Sequence, residues 1–121
     1  MEEYGLSILL SPKEKDMEIV TKHFMKERAG RYAFIATTVG VGKPIHTIER
    51  INSNSGEPCH VQVTDTGVVM VKSKDNAIIT LYLANITEIQ TYFANGVPCI
   101  IEAIVKRNMK KGYVKMQNTF D

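Results

Sequence analysis

Four short runs of β-forming residues in the middle of the chain most constrain how it can fold. The runs are rich in Val, Ile, Thr and Tyr, and they cover residues 45–51, 59–64, 68–73 and 77–84. Short polar turns separate them at 52–56, 65–67 and 74–76. Connections this short cannot make parallel crossovers, so the sequence predicts an antiparallel four-stranded meander.

Helix signals precede the meander. Ser11-Pro12-Lys13-Glu14 combines a capping hydroxyl, a proline at the first helical position and a glutamate three residues after the cap, which predicts a helix from residue 12. Apolar residues continue at helical spacing, and Gly30 is the predicted stop. Residues 5–10 are compatible with a short strand or an arm packed on the helix. Residues 32–39 are compatible with a strand or a second helix, broken by Gly40-Val41-Gly42.

Two further helices are predicted after the meander. Asn85 and Glu88 repeat the capping pattern and begin a helix that continues through Tyr92 and Phe93 to Gly96. Another helix begins at Pro98 and ends at Gly112. The expected fold is therefore α+β, with an antiparallel four-stranded meander packed against an N-terminal helix and two C-terminal helices, in one globular domain over residues 1–121.

Composition excludes several classes of protein. Fifteen Lys and Arg against thirteen Asp and Glu leave a net charge of +2, unlike a histone-like polycation or an acidic disordered tail. Cys59 and Cys99 are predicted to be reduced and buried, and the sequence contains no metal-binding pattern and suggests no cofactor. The acidic Met1-Glu2-Glu3 start and the short apolar stretches predict a cytoplasmic protein without a signal peptide or membrane contact.

Strand alternation suggests where a site lies. If the helices cover one face of the meander, the opposite face collects His60, Thr80 and Tyr82, together with His46 and Arg50. This set suits metal-independent cleavage of a phosphodiester: an imidazole takes the ribose 2′-hydroxyl proton, Arg50 neutralises the phosphate, and Tyr82 protonates the leaving oxygen or stacks on a base. The structural alternative is an ordinary wet face of an antiparallel sheet.

Two groups of cations could contact a phosphate backbone. One lies near the predicted end of the first helix and comprises Lys22, Lys26 and Arg31, with His23 and Arg28 beside them. The other comprises Lys106, Arg107, Lys110 and Lys111 in the last helix. Both have a structural alternative, because cations near a helix C-terminus stabilise the helix dipole, and His23 is spaced to pair with Glu27.

Three segments together resemble the superfamily of RelE and BrnT-like toxins, many of whose uncharacterised relatives are phage-linked. They are Lys22-His23-Phe24-Met25-Lys26-Glu27-Arg28, Asp65-Thr66-Gly67-Val68-Val69-Met70-Val71 and Ile78-Ile79-Thr80-Leu81-Tyr82-Leu83, and the resemblance covers residues 17–84. It implies a compact ribonuclease that needs no metal. Transferred to this chain, the site residues are His23, Arg28, Arg50, Thr80 and Tyr82.

Three hypotheses of function follow. The first is an RNA-binding domain of RelE-like type, for which endoribonuclease activity is an open question. The alternative is a non-enzymatic accessory or inhibitor protein of a phage or mobile element, which occupies the nucleic-acid groove of a host protein through the sheet face and residues 106–115. The third is a self-associating domain with Ile100, Ile104 and Val105 as its dimer seam.

Overall fold

The structure combines one β-sheet with helices that lie between and after its strands in the chain. The computed structural model describes the backbone of residues 6–8, 18–20 and 22–120 and the side chains of residues 29–120. In chain order the elements are β1 (Leu6–Ile8), β2 (Glu18–Val20), α1 (Lys22–Thr38), β3 (Pro44–Ile51), β4 (Pro58–Thr64), β5 (Val68–Ser73), β6 (Ala77–Leu83), α2 (Ile86–Gln90), α3 (Cys99–Lys110), α4 (Tyr113–Met116) and a 3-10 helix over Gln117–Phe120. The predicted α+β class is confirmed.

Strands β3 to β6 form the predicted antiparallel meander. Each strand is hydrogen-bonded to the next one along the chain. Gly67 between β4 and β5 has φ +85°, and Asn76 between β5 and β6 has φ 67°. These are two of the residue types that tolerate the left-handed conformation a tight turn requires. The local turn chemistry therefore supports the register of the meander.

Two short strands extend the sheet beyond β6. β2 pairs in parallel with β6, and β1 pairs antiparallel with β2, so the order is β1-β2-β6-β5-β4-β3. The helix predicted from residue 12 is wrong at residues 18–20, because Ile19 and Val20 pair with β6, and this tertiary pairing overrides a helical pattern. The signal at residues 11–14 lies outside the described residues. The strand interpretation of residues 5–10 is confirmed for Leu6–Ile8.

Helix α1 runs through Gly30, which is not the predicted stop. A Cβ at Gly30 would lie 3.2 Å from Cβ of Phe120 and 3.3 Å from its carbonyl oxygen, so the glycine permits close packing of the C-terminal segment. The helix continues to Thr38, which makes residues 32–38 part of α1. It ends where Gly40, with φ +81°, donates its N–H to the carbonyl of Ile35.

Helices cover both faces of the sheet, and each face has its own hydrophobic core. The core on the face covered by α1, here the α1 face, contains Tyr32, Ile35, Val41, Val68, Met70, Ile78, Leu81 and Leu83. The core on the face covered by α2 and α3, here the α3 face, contains Val61, Val63, Val69, Ala84, Ile89, Ile101 and Val105. An arrangement with helices on one face alone is therefore wrong. The reason is that β5 and β6 are apolar on both faces, and such strands need cover on both sides.

Helices α2 and α3 begin as predicted, but α2 ends early. Asn85 forms a complete capping box with Glu88, and α3 ends before Gly112, whose φ is 80°. The prediction that α2 reaches Gly96 is wrong. Thr91 donates its hydroxyl to the carbonyl of Glu88 over 2.7 Å, and the N–H groups of Thr91 and Tyr92 bond three residues back, which tightens the last turn and stops the helix.

Side chains complete the hydrogen bonding of β6 beyond the point where β2 ends. β2 pairs only with Ala77 and Ile78. Farther along, Arg31 donates to the carbonyl of Leu81 over 3.4 Å. The Gln117 amide donates to the carbonyl of Leu83 over 2.8 Å and accepts from its N–H over 2.7 Å. These groups are buried, where an unpaired backbone N–H or C=O is costly, so the contacts anchor α1 and the 3-10 helix to the sheet.

Replacing Gln117 by Ala should lower the free energy of unfolding by about 2–4 kcal/mol, because two buried backbone groups of Leu83 lose their partner. Urea denaturation measures the change. The matched control is Asn118→Ala at the next, exposed residue, which should cost less than about 0.5 kcal/mol. Equal effects of the two substitutions would contradict this account of the β6 edge.

Candidate functional site

Four of the residues predicted to form a site lie on the α3 face of the sheet. They are His46, Arg50, Thr80 and Tyr82. Cross-strand pairing aligns each of them with a residue of β4 or β5 that points toward α2 and α3. Directly opposite residues of antiparallel strands point to the same side. The prediction that these four residues share a face is confirmed.

His60 points to the opposite, α1 face. It follows Cys59, which is the residue opposite Arg50, so strand alternation turns the imidazole away from Arg50. Its Nδ1 lies 2.7 Å from Oε2 of Glu49. The expectation that His60 joins Arg50 and Tyr82 is therefore wrong. Alternation within β4 separates its two faces, but only the register between β3 and β4 decides which of these faces Arg50 shares.

Residues 91–93 lie over β3 and engage both of its predicted site residues. Arg50 donates through Nη2 to the carbonyl of Thr91 over 3.2 Å, and its guanidinium carbon lies 5.3 Å from the centroid of the Tyr92 ring. His46 stacks on Phe93 at 4.1 Å between ring centroids, with its Nε2 2.7 Å from the carbonyl of Tyr92. A carbonyl only accepts, so Nε2 carries the proton and is not available as a base.

Tyr82 is part of a half-buried pair of phenols. Its hydroxyl lies 2.7 Å from the hydroxyl of Tyr92. Burial, together with this hydrogen bond, raises the pKa of Tyr82 well above that of an exposed tyrosine. A group so reluctant to release its proton is a poor general acid for a leaving oxygen. Its structural role is to position Tyr92.

An open cavity of about 470 Å³ occupies the part of the α3 face that α2 and α3 leave uncovered. Its polar lining comes from Arg50, Asn52, Asn54, Thr80 and Tyr92, among others, and its apolar lining from Cys59, Val61, Val71 and Ile79. Asn52 accepts hydrogen bonds from the N–H groups of Asn54 and Ser55, which organises the β3–β4 turn at the rim. The cavity thus joins one cation, amides and hydroxyls to an apolar floor.

The cations of α3 lie elsewhere. Lys106, Arg107, Lys110 and Lys111 are exposed, and Lys106 pairs with Glu102 over 3.2 Å. Arg107 and Lys111 line a smaller cavity of about 230 Å³ near Asn108, which bonds Thr66 in the β4–β5 turn. The larger cavity is at the β3–β4 turn, so the two are at opposite ends of strands that span roughly 20 Å. The structure does not bring these cations to Arg50.

Of the cations predicted around α1, Arg31 has a described side chain, and it does not line the cavity. Arg31 is 8% exposed and donates to the carbonyl of Leu81, so it stabilises the fold and is not presented to a polyanion on the surface. The side chains of Lys22, His23, Lys26 and Arg28 lie outside the described residues. The backbone of α1 that carries them is on the other face of the sheet from the cavity.

Sequence reasoning missed Tyr92 and Phe93, which it assigned to the apolar stripe of a helix. The sequence offered no clear signal against that assignment, because an amphipathic helix also places adjacent apolar residues on its buried face, and both rings do pack against the core of the α3 face. In the structure, Tyr92 and Phe93 follow the end of α2 and contact two residues of β3.

The remaining chemistry-bearing groups include the two cysteines. Cys59 is buried as predicted, whereas Cys99 is exposed at the start of α3, and both are free thiols. Within the described part of the chain, no three His, Cys, Asp or Glu residues are grouped to hold a metal ion. No described helix has the length and apolar character needed to cross a membrane.

Comparisons of the chain with protein-family models, with curated proteins and with solved structures find no match.

Replacing Tyr82 by Phe tests the phenol pair. The variant should lose about 1 kcal/mol of stability at neutral pH, because the hydrogen bond to Tyr92 is removed. A raised pKa in the folded state stabilises the fold at low pH, and this contribution is lost as the pH rises past the ordinary tyrosine value of about 10. Because Tyr82→Phe has no hydroxyl to titrate, its free energy of unfolding should fall less steeply than that of the wild type as the pH rises above about 10.

Urea unfolding at neutral and alkaline pH measures both effects. Tyr113→Phe is the control, because it removes a hydroxyl and leaves the phenol pair intact; it should keep the wild-type slope. An alkaline slope that is the same with and without the Tyr82 hydroxyl would contradict the assignment.

Proposed function

We propose that this chain is a cytoplasmic RNA-binding protein that holds a nucleotide of single-stranded RNA in the Arg50–Tyr92 cavity without cleaving it. One observation carries the proposal: the guanidinium of Arg50 is held over the ring of Tyr92, at 5.3 Å, in the lining of an open cavity of about 470 Å³. Cavities of roughly 300–1,000 Å³ are typical of small-molecule sites. The volume is therefore sufficient for one nucleotide unit.

The lining matches the parts of a nucleotide. An exposed guanidinium binds phosphate through charge-assisted hydrogen bonds, and its plane is also a stacking surface for a base. The side-chain amides of Asn52 and Asn54 can donate to and accept from base edges. Thr80 also lines the cavity, and its hydroxyl can bond a ribose hydroxyl, while the apolar floor suits the face of a base.

Binding without cleavage is favoured by where the proton-transfer groups lie. No imidazole lines the cavity among the described side chains: His60 is on the α1 face and His46 is beneath Phe93. Tyr82 is a poor acid because its pKa is raised. Arg50 alone can stabilise a phosphate but cannot remove or supply a proton at neutral pH. The relationship to RelE and BrnT-like toxins stays a hypothesis about ancestry.

Arg50→Ala should weaken binding of a labelled single-stranded RNA by about tenfold or more, measured by fluorescence anisotropy. Arg50→Lys should lose most of the same affinity, because an ammonium keeps the charge but not the planar stacking surface. Lys43→Ala removes an equal charge at an exposed residue outside the cavity and should change affinity by less than about threefold.

Circular dichroism should confirm that each variant is folded. The same RNA should remain intact after incubation in EDTA. Absence of binding, or equal losses in Arg50→Ala and Lys43→Ala, would refute the binding site. Cleavage of the RNA that persists in EDTA would refute the non-catalytic assignment.

The alternative function, occupation of a partner's nucleic-acid groove, is favoured by the surface of α3. Its exposed cations adjoin exposed apolar side chains, Ile100 at 69% and Met109 at 40% exposure. A partner of a phage or mobile-element inhibitor would bind there in a fixed ratio. Lys110→Glu should then abolish recovery of one stoichiometric host protein, while Lys43→Ala at an exposed residue outside both surfaces should leave it unchanged; the RNA-binding proposal predicts no such partner.

A further inference from the structure

Strand β3 forms an edge of the sheet. It is the last strand in the sheet order and has eight residues, and among the described residues only β4 pairs with it. Long edge strands are templates for pairing with another strand, and proteins usually protect them with lysines, prolines or covering elements. β3 has no lysine, and its proline and its bulge are both at its first residues, Pro44 to His46, which leaves the rest of the edge regular. Within the described part of the chain, the edge of β3 opposite to β4 is therefore competent for pairing.

The hydrogen-bond pattern shows which backbone groups are directed outward. Asn52 donates its N–H to the carbonyl of Glu57 across the hairpin. Antiparallel strands alternate, so Arg50 and Ile48 also bond toward β4, whereas Thr47, Glu49 and Ile51 direct their N–H and C=O groups away from it. The pairing of Ile51 with Pro58 agrees, because proline has no N–H to contribute.

Two exposed isoleucines lie near the ends of this edge. Ile45 is 51% exposed and Ile51 is 65% exposed. Between them, Glu49 has its carboxylate 2.7 Å from Nδ1 of His60. The edge therefore presents apolar ends around one acidic side chain that already has a partner.

We propose that β3 pairs antiparallel with β3 of a second copy of this chain, in the register that places Ile48 opposite Ile48. A two-fold axis through this pair is the usual symmetry of a dimer. Thr47 of each copy then lies opposite Glu49 of the other, and these residues exchange about four backbone hydrogen bonds. Ile51 of each copy comes to the end of the strand where Ile45 of the other lies, so the apolar ends meet.

Other registers are less favourable. A shift that centres the pair on Glu49 places two carboxylates directly opposite each other, which destabilises a sheet. A shift that centres it on Thr47 leaves Ile51 outside the paired strand and brings Pro44 into it. In the Ile48 register, His46 falls opposite Arg50, and both side chains are already bonded to carbonyls of residues 91 and 92. The Ile48 register therefore brings the apolar ends together and does not place the two Glu49 carboxylates opposite each other.

This interface replaces the dimer seam expected on α3. Val105 of that seam is fully buried in the core of the α3 face, whereas Ile100 is 69% exposed. A stripe that is divided between core and surface cannot form a continuous seam. Ile100 instead supplies a matched control, because it is an exposed isoleucine away from β3.

Sedimentation equilibrium across a concentration series, without RNA, tests the proposal. The wild type should reach the mass of two chains. Thr47→Pro removes an outward N–H without touching the pairing with β4, and Ile51→Lys places a charge at the apolar end; both should sediment as monomers. Ile100→Lys should remain dimeric. A wild type that is monomeric throughout, or a dimer that survives both edge substitutions, would overturn the proposal.

Cysteine cross-linking tests the register. In a Cys99→Ser background, Ile48→Cys should form a disulfide-linked dimer on mild oxidation, because opposite residues of a non-hydrogen-bonded pair have Cα atoms about 4.5 Å apart. Thr47→Cys is the matched control, since it lies opposite Glu49 of the other copy, and it should stay largely monomeric on the denaturing gel. Efficient cross-linking at Thr47 instead of Ile48 would contradict the register.

Discussion

The buried backbone of β6 depends on hydrogen bonds from two side chains that belong to distant parts of the chain. β2 ends after its pairing with Ile78, and Arg31 and Gln117 bond the backbone that follows. The two elements that carry these side chains also pack against each other on the α1 face, where Phe34 stacks on Phe120 at 5.2 Å between ring centroids. With that face filled, α2 and α3 cover the other one, and the cavity is the part they leave open.

The sequence was most informative where the structure is local. The meander could be predicted because its turns contain residues such as Gly67 and Asn76 that adopt positive φ, and α2 and α3 could be located from their first residues. The sequence was misleading at residues 18–20 and at Gly30, because the features of these positions depend on tertiary contacts. Gly30 serves a contact with Phe120, and residues 18–20 become a strand by pairing with β6. The sequence is also compatible with Arg31 as a surface cation, and only its hydrogen bond to the carbonyl of Leu81 shows that it is a buried part of the fold.

The candidate site was predictable in part. Alternation alone placed Thr80 and Tyr82 together, and His46 and Arg50 joined them, because all four follow from strand periodicity. His60 could be placed only from the β3–β4 register, in which Arg50 opposes Cys59. The contribution of Tyr92 depends on where α2 stops, which Thr91 decides through a side-chain hydrogen bond that competes with the helix. The geometry of the site therefore depends on where α2 ends as well as on the register of the sheet.

The parallel pairing of β2 with β6 has a consequence for the order of folding. Hairpins between successive strands close short loops, whereas contact between Ile19 and Ala77 closes a loop that contains α1 and most of the meander. Closing the larger loop costs more entropy before any hydrogen bond is gained, and non-local contacts of this kind slow folding. The meander can therefore assemble as an early nucleus. The N-terminal strands would dock onto it afterwards, on a sheet edge that already exists.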